Sequence, residues 1–537
     1  MKMLFRSLPR FLAAVCVLAN TVFAQIMPAP TPSYYVSKVK ELNPDGIGAS
    51  GASLVELNGK LYFVADNGTS GKELWVSNGT EAGTYMLKNI NLTGSSTPYY
   101  LTVMNGALYF SADNGTHGRE LWKTDGTAGG TRMVREINPS GDADPMGLVA
   151  NGNILYFSAD NGTVGRELWK TDGTAEGTRM VKDINPAGSS MDAYLASQLV
   201  VYNGNVYFGA KTVAYGLELW VSDGTSAGTV LVKNCNPTGD GNPQYLTVCN
   251  GKLFFSANGS ELWKSDGTSA GTVLVKTVNA MSLKAVGTTL FFAGLGPTTG
   301  RNLWKSDGTS AGTVLVRNIN LSGDDDLNSL TAFQNQLFFA ASDGTSYDFW
   351  KSDGTYSGTQ KVKSISPHRL TVIGNSLYFS SGKLWKSDGT SDGTKALASG
   401  YAYSDPWFMT GLGNKILFFA SDQSGDYELY QLAPCTICPI PNAREGTGPE
   451  SVTGLTLTVS KNPTPDDVTV EIRGAAGQPL SLHLTNLLGQ LIVSKMIETA
   501  GPLERHRFDL RTQPGGLLLF RAISGEHSQT VRISKTD

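Results

Sequence analysis

One motif recurs along most of this chain and limits what the chain can fold into. The stretch 119–141, RELWKTDGTAGGTRMVREINPSG, returns almost letter for letter at 166–188. Successive copies of its tryptophan lie 35 to 51 residues apart, which is the period of a four-stranded propeller blade. The pattern Trp-x-x-Asp-Gly-Thr occurs seven times, starting at Trp122, Trp169, Trp220, Trp263, Trp304, Trp350 and Trp385.

One unit resolves into four predicted strands joined by tight turns. The first strand ends at Asn105-Gly106, a pair that supplies the two positive-φ positions of a type I′ hairpin. The second, 107–112, is apolar on both faces, as expected of a strand packed between neighbouring blades. The third turns at Asp125-Gly126-Thr127 into the fourth, which ends at Asn138-Pro139.

The two ends of the repeat region predict how the units are joined. Residues 35–42 have the pattern of a fourth strand without the other three, whereas the last unit, 408–432, lacks its fourth strand. If the first strand completes the last unit, no sheet edge is left free. We therefore predict an all-β fold with a single closed β-propeller of about nine four-stranded blades over 34–433. An eight-bladed ring with one divergent unit, or an open solenoid, is the alternative.

The repeat resembles the ELWxxDGT family of secreted bacterial proteins, whose members look like propellers. The resemblance rests on the seven copies named above, and the first unit departs from it with Asn78 in place of the aspartate. The turn is also similar to the Asp-box of sialidase propellers, which is structural there. Both resemblances imply a fold and not an activity.

The N-terminus predicts export. Residues 1–24 combine basic residues, a short apolar core and a small-residue cleavage site between Ala24 and Gln25, which is typical of a secretory signal peptide. That apolar run is too short to span a bilayer, and we expect no transmembrane segment in the mature chain. The net charge is −3 and no basic stripe occurs, so we do not expect nucleic acid as a partner.

The C-terminal part has a different pattern. Residues 434–454 form a proline-rich linker, and 455–537 alternate over about seven short strands, which predicts a small Ig-like β-sandwich. The order of Asn462-Pro463-Thr464, Phe508-Asp509-Leu510 and 531–535 resembles the type A C-terminal sorting domain of the type IX secretion system of Bacteroidetes. This resemblance implies export by that machinery, removal of the domain, and a secreted or outer-membrane surface location.

The cysteines form two local pairs once Cys16 leaves with the signal peptide. An exported chain permits disulfides, so Cys235 with Cys249 and Cys435 with Cys438 are possible bridges. The second pair is a C-x-x-C, but no second such motif completes a zinc site. We predict no resident metal and no cofactor.

The sequence favours binding over catalysis. The propeller region holds two histidines, His117 and His368, in different units, and no hydrolase or phosphate-binding motif. Nearly every aspartate belongs to a repeated turn, where its side chain caps local N–H groups. The acidic run 324–326 keeps two alternatives open, a sialidase-like polysaccharide hydrolase or lyase and a Ca²⁺ site. We predict no catalytic residue.

Comparison of the units predicts where a ligand binds. Within each unit, the turn between strands one and two and the turn between strands three and four hardly vary in sequence, and both lie on one face. The loops on the opposite face vary strongly in sequence, as binding loops do. We expect this variable face to hold an extracellular glycan or protein, and a purely structural surface protein is the alternative. The candidate ligand-binding residues there are Tyr194, Tyr215, Tyr347, Tyr403, Trp407 and Asp325.

Overall fold

The computed structural model describes most of the chain. The described residues are 33–43, 52–192, 198–259, 261–295, 300–397, 403–421, 425–435, 455–460, 464–486, 491–524 and 527–536. The predicted signal peptide with Ala24 and Gln25, residue Tyr194, Cys438, the side chain of Cys435 and nearly all of the linker lie outside them.

The repeat region consists of short strands, because each unit alternates a β-rich run with a glycine-containing turn. No helix occurs among the described residues, and so none there is long and apolar enough to cross a membrane. In chain order the strands are β1 (Ser33–Lys40), β2 (Ala52–Leu57), β3 (Lys60–Asp66), β4 (Lys72–Ser77), β5 (Tyr85–Lys88), β6 (Tyr99–Met104), β7 (Ala107–Asp113), β8 (Arg119–Thr124), β9 (Arg132–Arg135), β10 (Met146–Asn151), β11 (Ile154–Asp160), β12 (Arg166–Thr171), β13 (Arg179–Lys182), β14 (Val200–Tyr202), β15 (Asn205–Thr212), β16 (Gly216–Ser222), β17 (Val230–Lys233), β18 (Gln244–Cys249), β19 (Lys252–Ala257), β20 (Glu261–Ser265), β21 (Val273–Thr277), β22 (Met281–Val286), β23 (Thr289–Leu295), β24 (Arg301–Ser306), β25 (Val314–Arg317), β26 (Asn328–Phe333), β27 (Gln336–Ser342), β28 (Tyr347–Ser352), β29 (Gln360–Lys363), β30 (His368–Ile373), β31 (Ser376–Ser380), β32 (Leu384–Ser387), β33 (Lys395–Ala396), β34 (Ser404–Leu412), β35 (Lys415–Ser421) and β36 (Tyr427–Cys435).

These strands form four-stranded antiparallel sheets of the β-propeller kind. Sheets 1 to 8 each use four consecutive strands, β2–β5 for sheet 1 through β30–β33 for sheet 8. Sheet 9 has the order β1-β36-β35-β34, so its outer strand comes from the start of the chain, where Val36 pairs with Leu432. The strand predicted over 35–42 therefore overlaps β1 over residues 35–40, and it lies beside the last unit.

The core lies between neighbouring sheets. Side chains of both faces of the second strand are buried, as the unbroken apolar runs predicted. One cluster, for example, combines Tyr62 and Leu74 of sheet 1 with Leu108, Phe110 and Trp122 of sheet 2. Because each cluster spans two adjacent sheets, the repeated tryptophan belongs to the packing and not to a ligand site.

The repeated Asp-Gly-Thr turn is structural, as the sequence predicted. The Asp125 carboxylate accepts the backbone N–H and the hydroxyl of Thr127 at 2.9 and 2.7 Å, and the Thr127 bonds hold the Asp125 pKa below its ordinary value. Gly126 has φ of 93°, and a Cβ there would collide with the hydroxyl of Tyr62 in the preceding sheet. The turn therefore requires glycine for its backbone and for its contact with the neighbour.

Sheet 9 contacts sheet 1 through the same kinds of interaction as those between sheet 1 and sheet 2. Lys40 of β1 donates to the carbonyl of Thr84 at 2.8 Å, just as Lys88 donates to the carbonyl of Thr131 at 2.7 Å. The aromatic rings of Phe63 and Phe419 meet edge to face, with centroids 5.5 Å apart. The first and last sheets of the repeat region are thus neighbours.

The first strand of each sheet is its inner strand. The inner strands are β2, β6, β10, β14, β18, β22, β26, β30 and β34, each at one edge of its sheet. Each contacts the inner strand before and after it in chain order, and β34 also contacts β2. A threonine hydroxyl often links two of them, as when Thr102 donates to the carbonyl of Leu148 at 3.3 Å. The inner strands thus share one axial surface.

The described C-terminal residues form two sheets over one core. The strands are β37 (Thr456–Ser460), β38 (Asp467–Arg473), β39 (Leu480–Asn486), β40 (Leu491–Ile497), β41 (Leu503–Asp509), β42 (Gly516–Ser524) and β43 (His527–Lys535). Their orders are β37-β38-β41 and β40-β39-β42-β43. Val470 of the first sheet and Phe520 of the second belong to the same buried cluster. Seven strands therefore occupy the region where the sequence predicted about seven.

The predicted disulfide between Cys235 and Cys249 does not form. Both thiols are free and buried, and they belong to two different core clusters. Burial raises the pKa of Cys235 to about 12, with the charge of Glu218 acting in the same direction. Both residues act as small apolar side chains in the core.

Candidate functional site

The inner strands share an irregularity near their first residues. Pairing with the next strand shifts between Tyr99 and Thr102 in β6, and seven other inner strands, all except β14, have a shift at the corresponding place. Such a shift is a β-bulge, in which the extra residue has no partner opposite. In each of seven bulges the residue after the first residue of the shift has a positive φ. These bulge residues are Tyr100 (56°), Gly147 (62°), Tyr245 (54°), Ser282 (54°), Ser329 (56°), Arg369 (57°) and Phe408 (50°).

Six of the seven bulge residues carry side chains in a conformation that favours glycine. A left-handed backbone is uncommon for other residues and costs about 1–3 kcal/mol at each position. Glycine would relieve this cost, and Gly147 does so in one strand only. Strain of this kind clusters at functional sites, where the surroundings hold it in place. The bulge residues are therefore our candidate site.

The bulge side chains lie at one end of the axial surface. Tyr100 and Phe408 are 37% and 39% exposed, and Ser282 and Arg369 are exposed as well. These exposed side chains stand on the inner strands, which are neighbours of one another. The bulges follow directly on the loops that connect one sheet to the next, which places them on the variable face. We call this end the axial mouth.

Aromatic and cationic side chains meet at the axial mouth. The Arg369 guanidinium lies 3.2 Å from the ring centre of Trp407, whose indole also contacts Phe408 and Tyr427 with centroids 6.2 and 5.8 Å away. Burial lowers the pKa of Arg369, an effect opposed by the charge of Asp405 and by Tyr427. A group with an ordinary pKa above 12 keeps its charge at neutral pH.

A second aromatic pair stands on β6. The rings of Tyr99 and Tyr100 meet with centroids 6.4 Å apart, and the Arg119 guanidinium lies 5.2 Å above Tyr99. Arg119 also donates to the carbonyl of Thr97 at 2.7 Å. This arginine therefore supports the pair while its hydrogen-bonding groups are partly used within the fold.

A polar cleft of about 320 Å³ opens beside the bulges of sheets 6 and 7. Ser282, Arg301, Asp324 and Asp326 line it together with Tyr347, whose hydroxyl donates to the Asp326 carbonyl at 2.9 Å. Asp324 accepts the backbone N–H of Arg301. The cleft thus offers one guanidinium and two carboxylates next to the axial mouth.

The structure places three predicted ligand-binding residues on an inner strand, at the cleft and in an exposed turn. Trp407 lies on the inner strand β34, Tyr347 borders the cleft, and Tyr215 is 46% exposed in the turn between β15 and β16. They belong to sheets 9, 7 and 4, so they do not form one cluster.

Tyr403, predicted to bind ligand, is a core residue. Its side chain is 7% exposed and packs against Phe418 and Tyr430, with centroids 5.8 Å from each. Burial raises its pKa to about 12. The aromatic side chain of this loop residue packs into the core, because it covers the face of sheet 9 towards sheet 8.

Asp325, predicted as a ligand-binding acid, is also buried. Its carboxylate accepts the backbone N–H groups of Ile319 and Asn320 at 3.0 and 2.8 Å and the side-chain amide of Asn302 at 3.2 Å. Burial raises its pKa, and these hydrogen bonds act against that rise. Asp325 therefore holds its own loop, so the run 324–326 does not present three carboxylates to one ion or substrate.

The position of Asn302 explains this arrangement. Other sheets have a buried glutamate there, such as Glu120, which accepts the N–H groups of Ile137 and Asn138, both at 2.9 Å. Burial raises the pKa of Glu120 to about 7. In sheet 6 the strand position holds Asn302, and the carboxylate comes from Asp325 in the loop. It accepts the N–H groups of Ile319 and Asn320, which correspond to those of Ile137 and Asn138 in sheet 2. A departure from the repeat is thus compensated within the unit.

The two histidines stay apart in the described structure. The His117 ring contacts the side chains of Asn114 and Thr116 in its own loop, and His368 is exposed next to Arg369. Neither has a carboxylate partner among the contacts of the described residues.

Sequence reasoning missed Arg369, Phe408 and the other bulge residues as a set. A signal was present: the bulge residue varies freely, whereas the next residue is always leucine or methionine and the one after is threonine in five of seven strands. A variable position inside an otherwise regular strand marks a side chain that the core does not need.

The chain matches no protein-family model and no curated protein. Among solved structures it is similar to a puromycin hydrolase, with 13% identity and a TM-score of 0.33 over 62% of this chain and 60% of that one. It is also similar to the Dos1 propeller (11%, TM-score 0.38, 77% and 97%) and to the β-propeller domain of the Trilobed protease from Pyrococcus furiosus (10%, TM-score 0.34, 66% and 98%). The match thus spans less than two thirds of the puromycin hydrolase.

Proposed function

We propose that this chain is an exported β-propeller that binds an extracellular ligand, a glycan or a protein, over the axial mouth. The observation that carries the proposal is the set of six strained bulge residues other than glycine. A scaffold that needed only packing would gain stability from glycine at the exposed positions of this set. Three of the six are aromatic and one is arginine, the residue types that dominate binding surfaces.

The proposal includes a single closed ring of nine blades. It is supported by β1, which lies beside β36, and by Glu428, which accepts the N–H groups of Leu42 and Asn43 just as Glu120 accepts those of Ile137 and Asn138. The contact between β34 and β2 agrees with closure. An axial mouth lined from all sides follows from this arrangement.

The proposal places the protein outside the cell. It rests on the signal pattern of residues 1–24 and on the resemblance of 455–537 to a type IX sorting domain with an Ig-like fold. The type IX machinery is then the partner of the C-terminal domain. Intact-mass analysis of the exported protein tests this: we expect an N-terminus at Gln25 and loss of the C-terminal domain, and an intact chain in the cytoplasm would contradict it.

Binding is favoured over hydrolysis on one specific ground. The hydrolase alternative rested on the acidic run 324–326, and the carboxylate of Asp325 in that run is buried and occupied by its own loop. A glycan is favoured over a protein because exposed aromatic rings such as Tyr100 and Phe408 suit the C–H faces of sugars.

A glycan array with the purified chain tests the proposal. Phe408→Asn and Tyr100→Asn remove the rings but keep residues that tolerate a left-handed backbone. We expect either change to weaken retention at least about tenfold, as loss of a hot-spot aromatic does. Tyr356→Ala is the matched control, since Tyr356 is 68% exposed in a turn on the opposite face. Binding that survives both changes would overturn the axial mouth as the site, and no binding to any glycan would leave a protein ligand or a purely structural role.

A further inference from the structure

We propose that Arg369 and Phe408 form a subsite for an acidic sugar, with the guanidinium holding the anionic group and the phenyl ring stacked on the sugar face. This inference rests on the proposed function and specifies its ligand. The two residues occupy equivalent bulge positions on the adjacent inner strands β30 and β34. They therefore present their side chains to the same part of the axial mouth.

The Arg369 guanidinium is held in place before a ligand arrives. It stacks on Trp407 at 3.2 Å, and Trp407 is fixed in turn by packing against the core between sheets 9 and 1. The backbone of Arg369 is fixed as well, since Thr371 donates its hydroxyl to the Arg369 carbonyl at 3.1 Å. An arginine ordered in this way loses little conformational entropy on binding.

The hydrogen-bond donors of Arg369 are not used by the part of the chain that the structure describes. Its guanidinium forms no hydrogen bond or ion pair with any described residue, although Asp405 lies close enough to affect its pKa. Other arginines differ: Arg166 bonds Asp144 at 3.1 Å, and Arg317 donates to the Thr359 carbonyl at 2.5 Å. A planar fork with free donors matches a carboxylate or sulfate, which accepts two parallel N–H bonds.

The anion is attached to a sugar because the apolar half of the subsite is an open aromatic ring. Phe408 is 39% exposed and lies 6.2 Å from the indole that supports Arg369. A pyranose that covers the phenyl ring with its C–H face can bring an exocyclic acid group to the guanidinium. Uronic acids and sulfated sugars both satisfy this geometry, and they share the chemistry of an anionic group on a sugar ring.

Calorimetric titration of the full chain tests the subsite with three tetrasaccharide probes: tetragalacturonate, its neutral galactose counterpart, and a sulfated galactose tetrasaccharide. We expect an acidic probe to bind at least about tenfold more tightly than the neutral one, because charge-assisted hydrogen bonds are stronger than neutral ones. Comparison of the two acidic probes identifies the anionic group. We also expect the affinity for the acidic probe to fall with added salt.

Variants separate the guanidinium from the fold. Arg369→Asn keeps a residue that tolerates positive φ, and we expect it to abolish the preference for acidic over neutral probes. Arg369→Lys keeps the charge without the fork, and we expect an intermediate loss. Arg179→Ala is the control, as an exposed arginine at the start of β13 near the invariant turns. Thermal unfolding confirms that each variant is folded.

The outcomes distinguish the subsite from the proposed function. Equal affinity for acidic and neutral probes, or an acidic preference that survives Arg369→Asn, overturns the subsite. If acidic and neutral probes bind equally and Phe408→Asn removes that binding, the proposed function stands while the acidic subsite falls. If no probe binds, the subsite is refuted, and the glycan array decides separately whether the axial mouth binds any glycan.

Discussion

Replacing Glu428 should release the first strand of the repeat region from the last sheet. Glu428 is fully buried and accepts the backbone N–H groups of Leu42 and Asn43 at 2.6 and 3.5 Å, across 386 and 385 residues of chain. Burial raises its pKa to about 8, with the charge of Glu41 in the same direction, so the carboxyl is largely protonated at pH 7.

The magnitude follows from those two bonds. Glu428→Ala leaves two buried N–H groups without an acceptor, and each costs about 1–3 kcal/mol. We expect the free energy of unfolding to fall by about 2–4 kcal/mol, with the larger share from the shorter bond. Glu428→Gln retains an acceptor and resembles the protonated acid, so we expect a loss below about 1 kcal/mol at pH 7.

Hydrogen exchange provides the assay, because it reports on each strand separately. In Glu428→Ala the amides of β1 should exchange faster, whereas those of β7 in sheet 2 keep their protection. Glu120→Ala is the matched control: it removes the same two bonds within sheet 2, and β1 should stay protected. If β1 exchanges equally in both variants, the two ends of the repeat region are not held by this contact and the inference of closure fails.

The pH dependence of the same residue gives a further prediction. Because the pKa of Glu428 is higher in the folded than in the unfolded chain, its contribution to stability is fully present below about pH 4.5 and is lost as the pH rises through 8. The free energy of unfolding of Glu428→Gln, measured with urea, should therefore rise relative to that of the wild type between pH 5 and pH 9. Gly126→Ala should destabilise the chain by about 1–3 kcal/mol through its positive φ and its collision with the neighbouring sheet, whereas Gly129→Ala, which has open space around it, should change the urea midpoint little. Asp325→Ser should lower stability by about 2–4 kcal/mol, and Asn302→Glu should restore most of the loss in the double variant, since this pair recreates the arrangement of other sheets; additive losses in a double-mutant cycle would contradict the exchange of roles. The two free buried thiols should react with a thiol reagent only after denaturation, and labelling of the native chain would contradict their burial.

The part of the structure that the sequence predicts is the part built by short-range contacts. The Asp125 turn forms between residues two apart, and the apolar strand β7 needs only a neighbour on each side, whichever neighbour it is. Such features repeat because each unit contains all the residues they require. Repetition therefore makes them visible in a single chain.

The candidate site depends on contacts that no single unit contains. Arg369 stacks on Trp407 of the next sheet, and its left-handed backbone lies in β30, which contacts the inner strands on both sides. Tyr403 shows the reverse case, since its place in a variable loop indicates exposure but packing between two sheets buries it. In both cases the deciding partner lies in an adjacent sheet.

A departure from the repeat is evidence of function only when nothing in the chain compensates for it. Asp325 departs from the repeat, but it replaces the carboxylate that Asn302 lacks, and the same kinds of N–H groups are satisfied. Arg369 and Phe408 have no such counterpart: their backbone strain remains and their side chains are exposed. Backbone strain that no contact within the fold offsets is explained if binding of a ligand offsets it. For this reason we propose the axial mouth, and not the acidic run at 324–326, as the site.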